Sequence, residues 1–334
     1  REEVMALSIW MSIKCATLDL PLGGGKWGVI CDPKELSPGE LERLSRGYVD
    51  QLFRYLGPTQ DVPAPDVNTN AQIMSWMVDE YSHVTGSWSP GAFTGKPVMI
   101  GGSLGRDTAT AQGGYYVLEW YLESIGQVIA GKKIIIQWAW NAGLEMAKLL
   151  VDGGAIVVGI SDSHGGIYLE SGLDISLVRH IKQQKQSVIT YPNAQIIESD
   201  VFLLQSCDIL IPAALENQIF KENASDIQAK LIMELANGPI TPEADAILHD
   251  RGIMVIPDIL ANAGGVTVSY FEQVQNSMNF SWDRDKVQHK LQEKMKIALQ
   301  GVQASAYEHN VPLRTWAYII ALKRILEAMK LRGM

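Results

Sequence analysis

The residues whose types and spacing suggest chemistry lie at a strand–turn–helix junction, Trp138-Ala-Trp140-Asn-Ala-Gly143, followed about 20 residues later by Asp162. A turn of this register is where a dinucleotide's pyrophosphate rests on backbone N–H groups at a helix N-terminus. The usual pattern has glycine at three places: for the tight turn, for close approach of the phosphate, and for packing of helix on strand. Only the last, Gly143, is glycine here, and Trp138 and Trp140 stand at the others. An indole fills space through which phosphate would reach the backbone, and tryptophan resists the positive φ that glycine tolerates. A plainer reading has both indoles packing a loop. Asp162 stands where an acid takes a ribose hydroxyl pair. Its setting, Ser161-Asp-Ser-His-Gly-Gly166, equally suits an aspartate that closes a strand or turn.

The elements that must position these residues are legible as strand–helix–strand alternation. Lys132–Gln137 and Ala155–Ile160 are apolar runs without alternation, the mark of strands buried on both faces of a parallel sheet. A helical stretch, Ala142–Val151, separates them, and Ile209–Ile211, Leu231–Glu234 and Met254–Ile256 are further strand candidates. This rhythm predicts a doubly wound nucleotide-binding type of domain. Upstream, Glu2–Ala16 has helical apolar spacing, and Ser37-Pro-Gly-Glu40 is a helix start with N-cap serine, first-turn proline and an acid three along. That helix is predicted to reach about Leu56, with others over Thr69–Val84, Gln112–Ser124, residues 284–310 and Arg314–Lys330. Arg1–Lys14 reads as a helix already in progress, which predicts further chain upstream.

With 334 residues, 47% of them apolar and 19% charged, the chain has material for two domains with full cores. A net charge of −9 argues against a nucleic-acid or anionic-membrane binder, both of which need a basic face. Cys15, Cys31 and Cys207 form no C-x-x-C pair and no disulfide framework, no metal site is expected, and no secretory or membrane-spanning run occurs. A cytoplasmic protein is the expectation.

Several longer blocks occur in order: Pro63-Ala-Pro-Asp-Val-Asn-Thr69, Gly101-Gly-Ser-Leu-Gly-Arg-Asp107, Pro212-Ala-Ala-Leu-Glu216, Ala236-Asn-Gly-Pro239 and Pro257–Val266. Through them the chain resembles, over nearly all its length, the glutamate dehydrogenases of the Glu/Leu/Phe/Val dehydrogenase family. The resemblance implies a two-domain α/β fold with a cleft. Residues 1–105 would form the substrate (dimerisation-type) domain, 106–305 a Rossmann-like dinucleotide domain, and 306–334 a C-terminal helix returning to the first. It also implies NAD(P) as cofactor, assembly as hexamers, and hydride transfer from the α-carbon of an amino acid, followed by hydrolysis of the imine to a 2-oxo acid and ammonia. By the same resemblance Lys26 is the catalytic lysine of lowered pKa and Asp66 the proton shuttle. Lys14 holds the substrate α-carboxylate, and Ser269 lies near the glutamate side-chain carboxylate. Asn237 and Asn262 line the nicotinamide and substrate end, Thr110 contacts the nicotinamide amide, and Gly143 and Asp162 belong to the cofactor side. Read without the resemblance, Lys14 suits a solvated helix lysine and Asp66 a loop cap.

Departures from the family pattern fall on the same cleft. The lysine loop, usually Gly-Gly-Ala-Lys-Gly-Gly, is Gly23-Gly-Gly-Lys-Trp-Gly28; Thr-Gly-Arg-Gly is Thr110-Ala-Gln-Gly113; Glu-Gly-Ala-Asn-Gly-Pro is Glu234-Leu-Ala-Asn-Gly-Pro239. The Lys-Gly-Gly-Ile-Arg segment, whose lysine holds the side-chain carboxylate, is not found before Arg1. Overpacking costs about 1–3 kcal/mol per site, so Trp27, Trp138 and Trp140 are expected to block the cofactor before they prevent folding. The expectation is therefore a glutamate dehydrogenase homologue with impaired NAD(P) binding, a regulatory or structural pseudoenzyme subunit in a homo-oligomer or beside an active paralogue. The alternative is an active NAD(P)-dependent glutamate dehydrogenase, which the retention of Lys14, Lys26 and Asp66 favours. A third reading makes the indoles stacking platforms for another flat ligand.

Overall fold

The computed structural model describes residues 1–309 and 311–334. In chain order the elements are α1 (Glu2–Thr17), α2 (Pro38–Leu52), α3 (Ala71–Thr85), α4 (Ala109–Ser124), β1 (Lys133–Gln137), α5 (Asn141–Asp152), β2 (Ile156–Asp162), β3 (Gly165–Tyr168), α6 (Ile175–Gln183), β4 (Gln195–Ile197), α7 (Ser199–Phe202), β5 (Ile209–Pro212), α8 (Lys221–Ala224), β6 (Leu231–Met233), α9 (Pro242–Asp250), β7 (Met254–Ile256), α10 (Asp258–Ala261), α11 (Gly264–Met278), α12 (Arg284–His309) and α13 (Leu313–Leu331). No helix among the described residues is long and apolar enough to cross a membrane.

Local chemistry sets many of these boundaries. At α2 the Ser37 N–H donates to Glu40 at 2.9 Å and the Glu40 N–H to the Ser37 hydroxyl at 3.4 Å, a reciprocal cap with Pro38 in the first turn. The helix stops at Leu52, short of the expected Leu56. The helix expected over 284–310 runs Arg284–His309, residue 310 lying outside the described residues.

The strands form one mixed sheet in the order β4-β3-β2-β1-β5-β6-β7. Neighbours from β2 through β7 in this order are parallel, whereas β3 pairs antiparallel with β2 and β4. Ile134, Ile135 and Ile136 are fully buried, which is why β1 reads as an unbroken apolar run. The antiparallel edge was not legible: β3 opens with two glycines and β4 has only Ile197 buried. Gly166 is required there, because a Cβ would lie 2.1 Å from the Phe202 ring.

The chain divides into two compact units, one of residues 1–15, 20–109 and 265–291, the other of 16–19, 110–264 and 292–334. In the first, Glu272 of α11 binds the 93–103 segment. Its carboxylate accepts from Lys96 Nζ at 2.5 Å and from the N–H groups of Gly95 (3.1 Å) and Ser103 (3.2 Å), and both side chains of the ion pair are fully buried. Asn276 adds a bond to the Gly101 carbonyl at 2.7 Å. Polar anchoring of this kind draws 265–291 into the first unit, away from the dinucleotide domain in which the sequence reading placed it.

In the second unit, the Arg314 guanidinium makes paired bonds of 2.8 and 2.7 Å to Glu234 and a third, of 3.1 Å, to Asp245. This holds α13, which packs on β7 and α10. The terminal helix, expected to return to the first unit, thus belongs to the second. Burial pushes the Glu234 carboxyl up to about 7, and Arg314 draws it back toward the charged form.

At the β1–α5 turn Trp138 has φ +90°, the backbone of a glycine. The Ala139 N–H donates to the Ser161 carbonyl at 2.6 Å, and the Trp138 N–H to the Ser161 hydroxyl at 3.3 Å, so β2 holds this path. A Cβ on Gly143 would lie 2.1 Å from the Trp138 carbonyl oxygen. Strain of this sort costs on the order of 1–3 kcal/mol.

Two stability predictions follow from these contacts. Trp138→Gly is more stable than Trp138→Ala by about 1 kcal/mol in urea unfolding, reversing the ordinary advantage of alanine; the opposite order would remove the strain. Lys96→Met, which leaves Glu272 buried without its cation, costs about 3–5 kcal/mol, and a loss under about 1 kcal/mol would show the pair to be dispensable.

Candidate functional site

Lys14, Lys26, Asp66 and Ser269 all belong to the first unit, in which Lys26 and Asp66 are in contact. The loop carrying Lys26 is seated on α1 by Gly24: a Cβ there would meet the Ser8 carbonyl at 2.2 Å and the Ser12 N–H nitrogen at 2.3 Å. The Ser8 hydroxyl donates to the Gly24 carbonyl at 2.9 Å. Lys14 is buried in the last turn of the same helix. Lys26 lines a groove of ≈ 430 Å³ with Val4, Ser8, Ile9, Trp27 and Asp61. Trp27 is 42% exposed, so its indole flanks the lysine without entering a core.

Lys26 forms an ion pair with Asp66. Burial holds the lysine below its ordinary pKa, with Glu3 pulling the other way. Asp66 is set by its own loop: its N–H donates to the Thr69 hydroxyl at 2.6 Å, and that hydroxyl donates back to the Asp66 carbonyl at 2.9 Å. An amine of depressed pKa touching a carboxylate is equipped to exchange protons with a bound substrate.

Ser269, buried on α11, accepts a 2.8 Å hydrogen bond from Arg106 Nε. Sequence reasoning assigned Arg106 no role, although it lies in the Gly101–Asp107 block. Burial works against its charge, and Glu272 and Asp107 favour it. The Lys96–Glu272 pair was likewise missed. A charged residue among glycines is the signal available for either, and it does not name the partner.

Thr110, Gly143, Asp162, Asn237 and Asn262 lie in the second unit. Asn262 Nδ2 donates to Asn237 Oδ1 at 2.9 Å and to the Leu235 and Ala236 carbonyls at 3.3 Å, so the structure brings this pair together. Asp258 fixes the same loop by accepting from the Gly238 N–H at 2.9 Å. Thr110 sits in the first turn of α4, where Gly113 and Gly114 let the helix approach residues 261–264; a Cβ on Gly113 would lie 2.8 Å from Gly264 Cα.

The β1–α5 turn has the backbone of a diphosphate-binding turn. It keeps the glycine-type path and the close approach at Gly143, and residue 140 offers no side-chain cap to α5. Trp140 is 50% exposed, so its indole is not part of the core. Asp162 is different in kind from the expected ribose acceptor: its carboxylate is occupied by Lys182, Ser187 and two backbone N–H groups. The strand-end reading of this residue describes its observed contacts.

Comparison with known proteins gives the family of the chain. The Glutamate/Leucine/Phenylalanine/Valine dehydrogenase family matches residues 101–333, and its dimerisation domain residues 1–83. The chain is 48% identical to the catabolic NAD-specific glutamate dehydrogenase RocG of Bacillus subtilis, over 99% of this chain and 78% of that protein. Glutamate dehydrogenase from Peptoniphilus asaccharolyticus is similar in structure at TM-score 0.85 and 44% identity, covering 99% and 80% of the two chains. The Leu-bound form of the hetero-hexameric glutamate dehydrogenase from Thermus thermophilus matches at TM-score 0.95 and 34% identity, covering 99% and 79%. With its two-domain α/β fold and these relatives, the chain belongs to the Glu/Leu/Phe/Val dehydrogenase family.

Proposed function

We propose that the chain is an active NAD-dependent glutamate dehydrogenase, converting L-glutamate to 2-oxoglutarate and ammonia. The observation that carries this reading is the Lys26–Asp66 pair, with its burial-depressed lysine, in the unit that also holds Lys14 and Ser269. Relatives 48% identical over nearly the whole chain are NAD-specific glutamate dehydrogenases. That similarity favours the active alternative over the pseudoenzyme expected from the indoles. The glycine-type path at Trp138 and the exposure of Trp27 and Trp140 favour it too. Among the described residues, no contact of Trp27, Trp138 or Trp140 supports the reading of a stacking platform for another flat ligand.

In this account the first unit takes the amino acid and the second the dinucleotide. Lys14 binds the α-carboxylate, and Ser269, oriented by Arg106, lies near the side-chain carboxylate. NAD, when bound, supplies the hydride acceptor, and Thr110, Gly143, Asn237 and Asn262 are the residues that would hold it. Neutral Lys26 removes a proton from the water that adds to the imine carbon, and Asp66 takes that proton from the resulting Lys26 ammonium and passes it to the departing amine. Association with further copies, or with an active paralogue, completes the proposal; the similar glutamate dehydrogenase from Thermus thermophilus is hetero-hexameric.

The test is formation of reduced coenzyme from NAD and L-glutamate, followed by absorbance. Lys26→Ala is expected to lower kcat by about 10²–10⁴-fold, the range for loss of a positioned acid–base group. Because the neutral amine is the active form, kcat/KM rises with pH through a limb set below the ordinary lysine value of about 10.4. Lys26→Arg, which stays protonated, removes that limb. Wild-type protein without detectable turnover, or a pH profile unchanged in Lys26→Arg, contradicts the assignment.

A further inference from the structure

Asp162 closes β2 with its side chain only 6% exposed. Oδ1 accepts from the His164 N–H at 3.0 Å and the Ser187 hydroxyl at 2.9 Å. Oδ2 accepts from Lys182 Nζ at 2.6 Å and the Val188 N–H at 2.9 Å. An ionised carboxylate has about four lone-pair sites, so none is left for another donor. Burial alone would raise this carboxyl; Lys182 and the other donors hold it below the ordinary range.

An acid at the end of the second strand normally selects NAD in two ways. It accepts hydrogen bonds from the ribose 2′-hydroxyl, and its bare charge repels the 2′-phosphate of NADP. Neither device operates here. The lone pairs are filled, and the charge is neutralised by a lysine that is itself 15% exposed. The neighbouring Ser163 and His164 side chains bond each other at 3.1 Å and carry no negative charge, and the His164 ring is 68% exposed.

We propose that Lys182, by pairing with Asp162, sets the coenzyme preference of this chain, leaving the ribose 2′ position weakly discriminated so that NADP is taken as well as NAD. The inference rests on the dehydrogenase reading of the same site and departs from the NAD specificity of the relatives. Lys182 is a positioning residue: it acts through the charge and orientation of Asp162.

The test measures binding, by tryptophan fluorescence and calorimetry on the full chain, of adenosine 5′-monophosphate, adenosine 2′,5′-bisphosphate, NAD and NADP. Wild-type protein is expected to bind the two adenosine compounds within about threefold of each other, since the ion pair presents no net charge to the 2′-phosphate. Lys182→Met exposes the carboxylate charge and weakens the bisphosphate relative to the monophosphate by about tenfold or more, while Lys182→Arg keeps the wild-type ratio. Ser187→Ala opens one lone pair without changing the charge, and raises affinity for the monophosphate alone. A wild-type preference for the monophosphate above about 30-fold overturns the proposal, as does a ratio unmoved by Lys182→Met, or failure of both adenosine compounds to bind. Near-equal binding of the adenosine compounds with no binding of either dinucleotide upholds the effect of Lys182 at the ribose 2′ position and overturns both the uptake of NADP and the dehydrogenase reading.

Discussion

The β1–α5 turn is the constraint on which the second unit's functional reading depends. Its backbone must pass β1 into α5 while lying against β2, and the Ser161 carbonyl and hydroxyl hold it there. That path requires positive φ at residue 138 and a bare α-carbon at residue 143. Gly143 meets its requirement with no cost. Trp138 meets the other under strain, carried by the bonds from β2 and by the packing of the whole sheet. The glycine-type path of the turn is thus retained with an unfavourable residue in it.

Buried charge organises the surroundings of the candidate site in both units. In the first, Glu272 gathers Lys96 and backbone donors, and Arg106 turns onto Ser269 one helical turn away on α11. In the second, Arg314 gathers Glu234 and Asp245, and Asp258 donates its N–H to Glu234 while accepting from Gly238 beside Asn237. Removing such partners leaves uncompensated charge in a low-dielectric interior, so these clusters fix α11, which carries Ser269, and the segments that carry Asn237 and Asn262.

Much of the fold was legible because its signals are local. The apolar runs of β1 and β2, the reciprocal cap at Ser37 and the helical spacing of α1 and α3 each depend on a few neighbouring residues. The β3–β4 edge was not, since Gly166 is demanded by Phe202, a residue far along the chain. The same distinction holds at the site. The positions of Lys26, Asp66 and Asn262 follow from motif blocks, whereas the partners Arg106 of Ser269 and Lys182 of Asp162 are tertiary facts. At Trp138 the residue type argued against positive φ, and the geometry of the assembled sheet overrode that local preference.

The measurement that bears most directly on this account is titration calorimetry of the full chain with NAD. Retention of the turn's shape predicts saturable binding with a Kd tighter than about 1 mM, as expected of a coenzyme held by several backbone and side-chain contacts. No saturable heat at concentrations of about 10 mM would mean that the indoles close the site despite the preserved backbone, and would contradict the central claim.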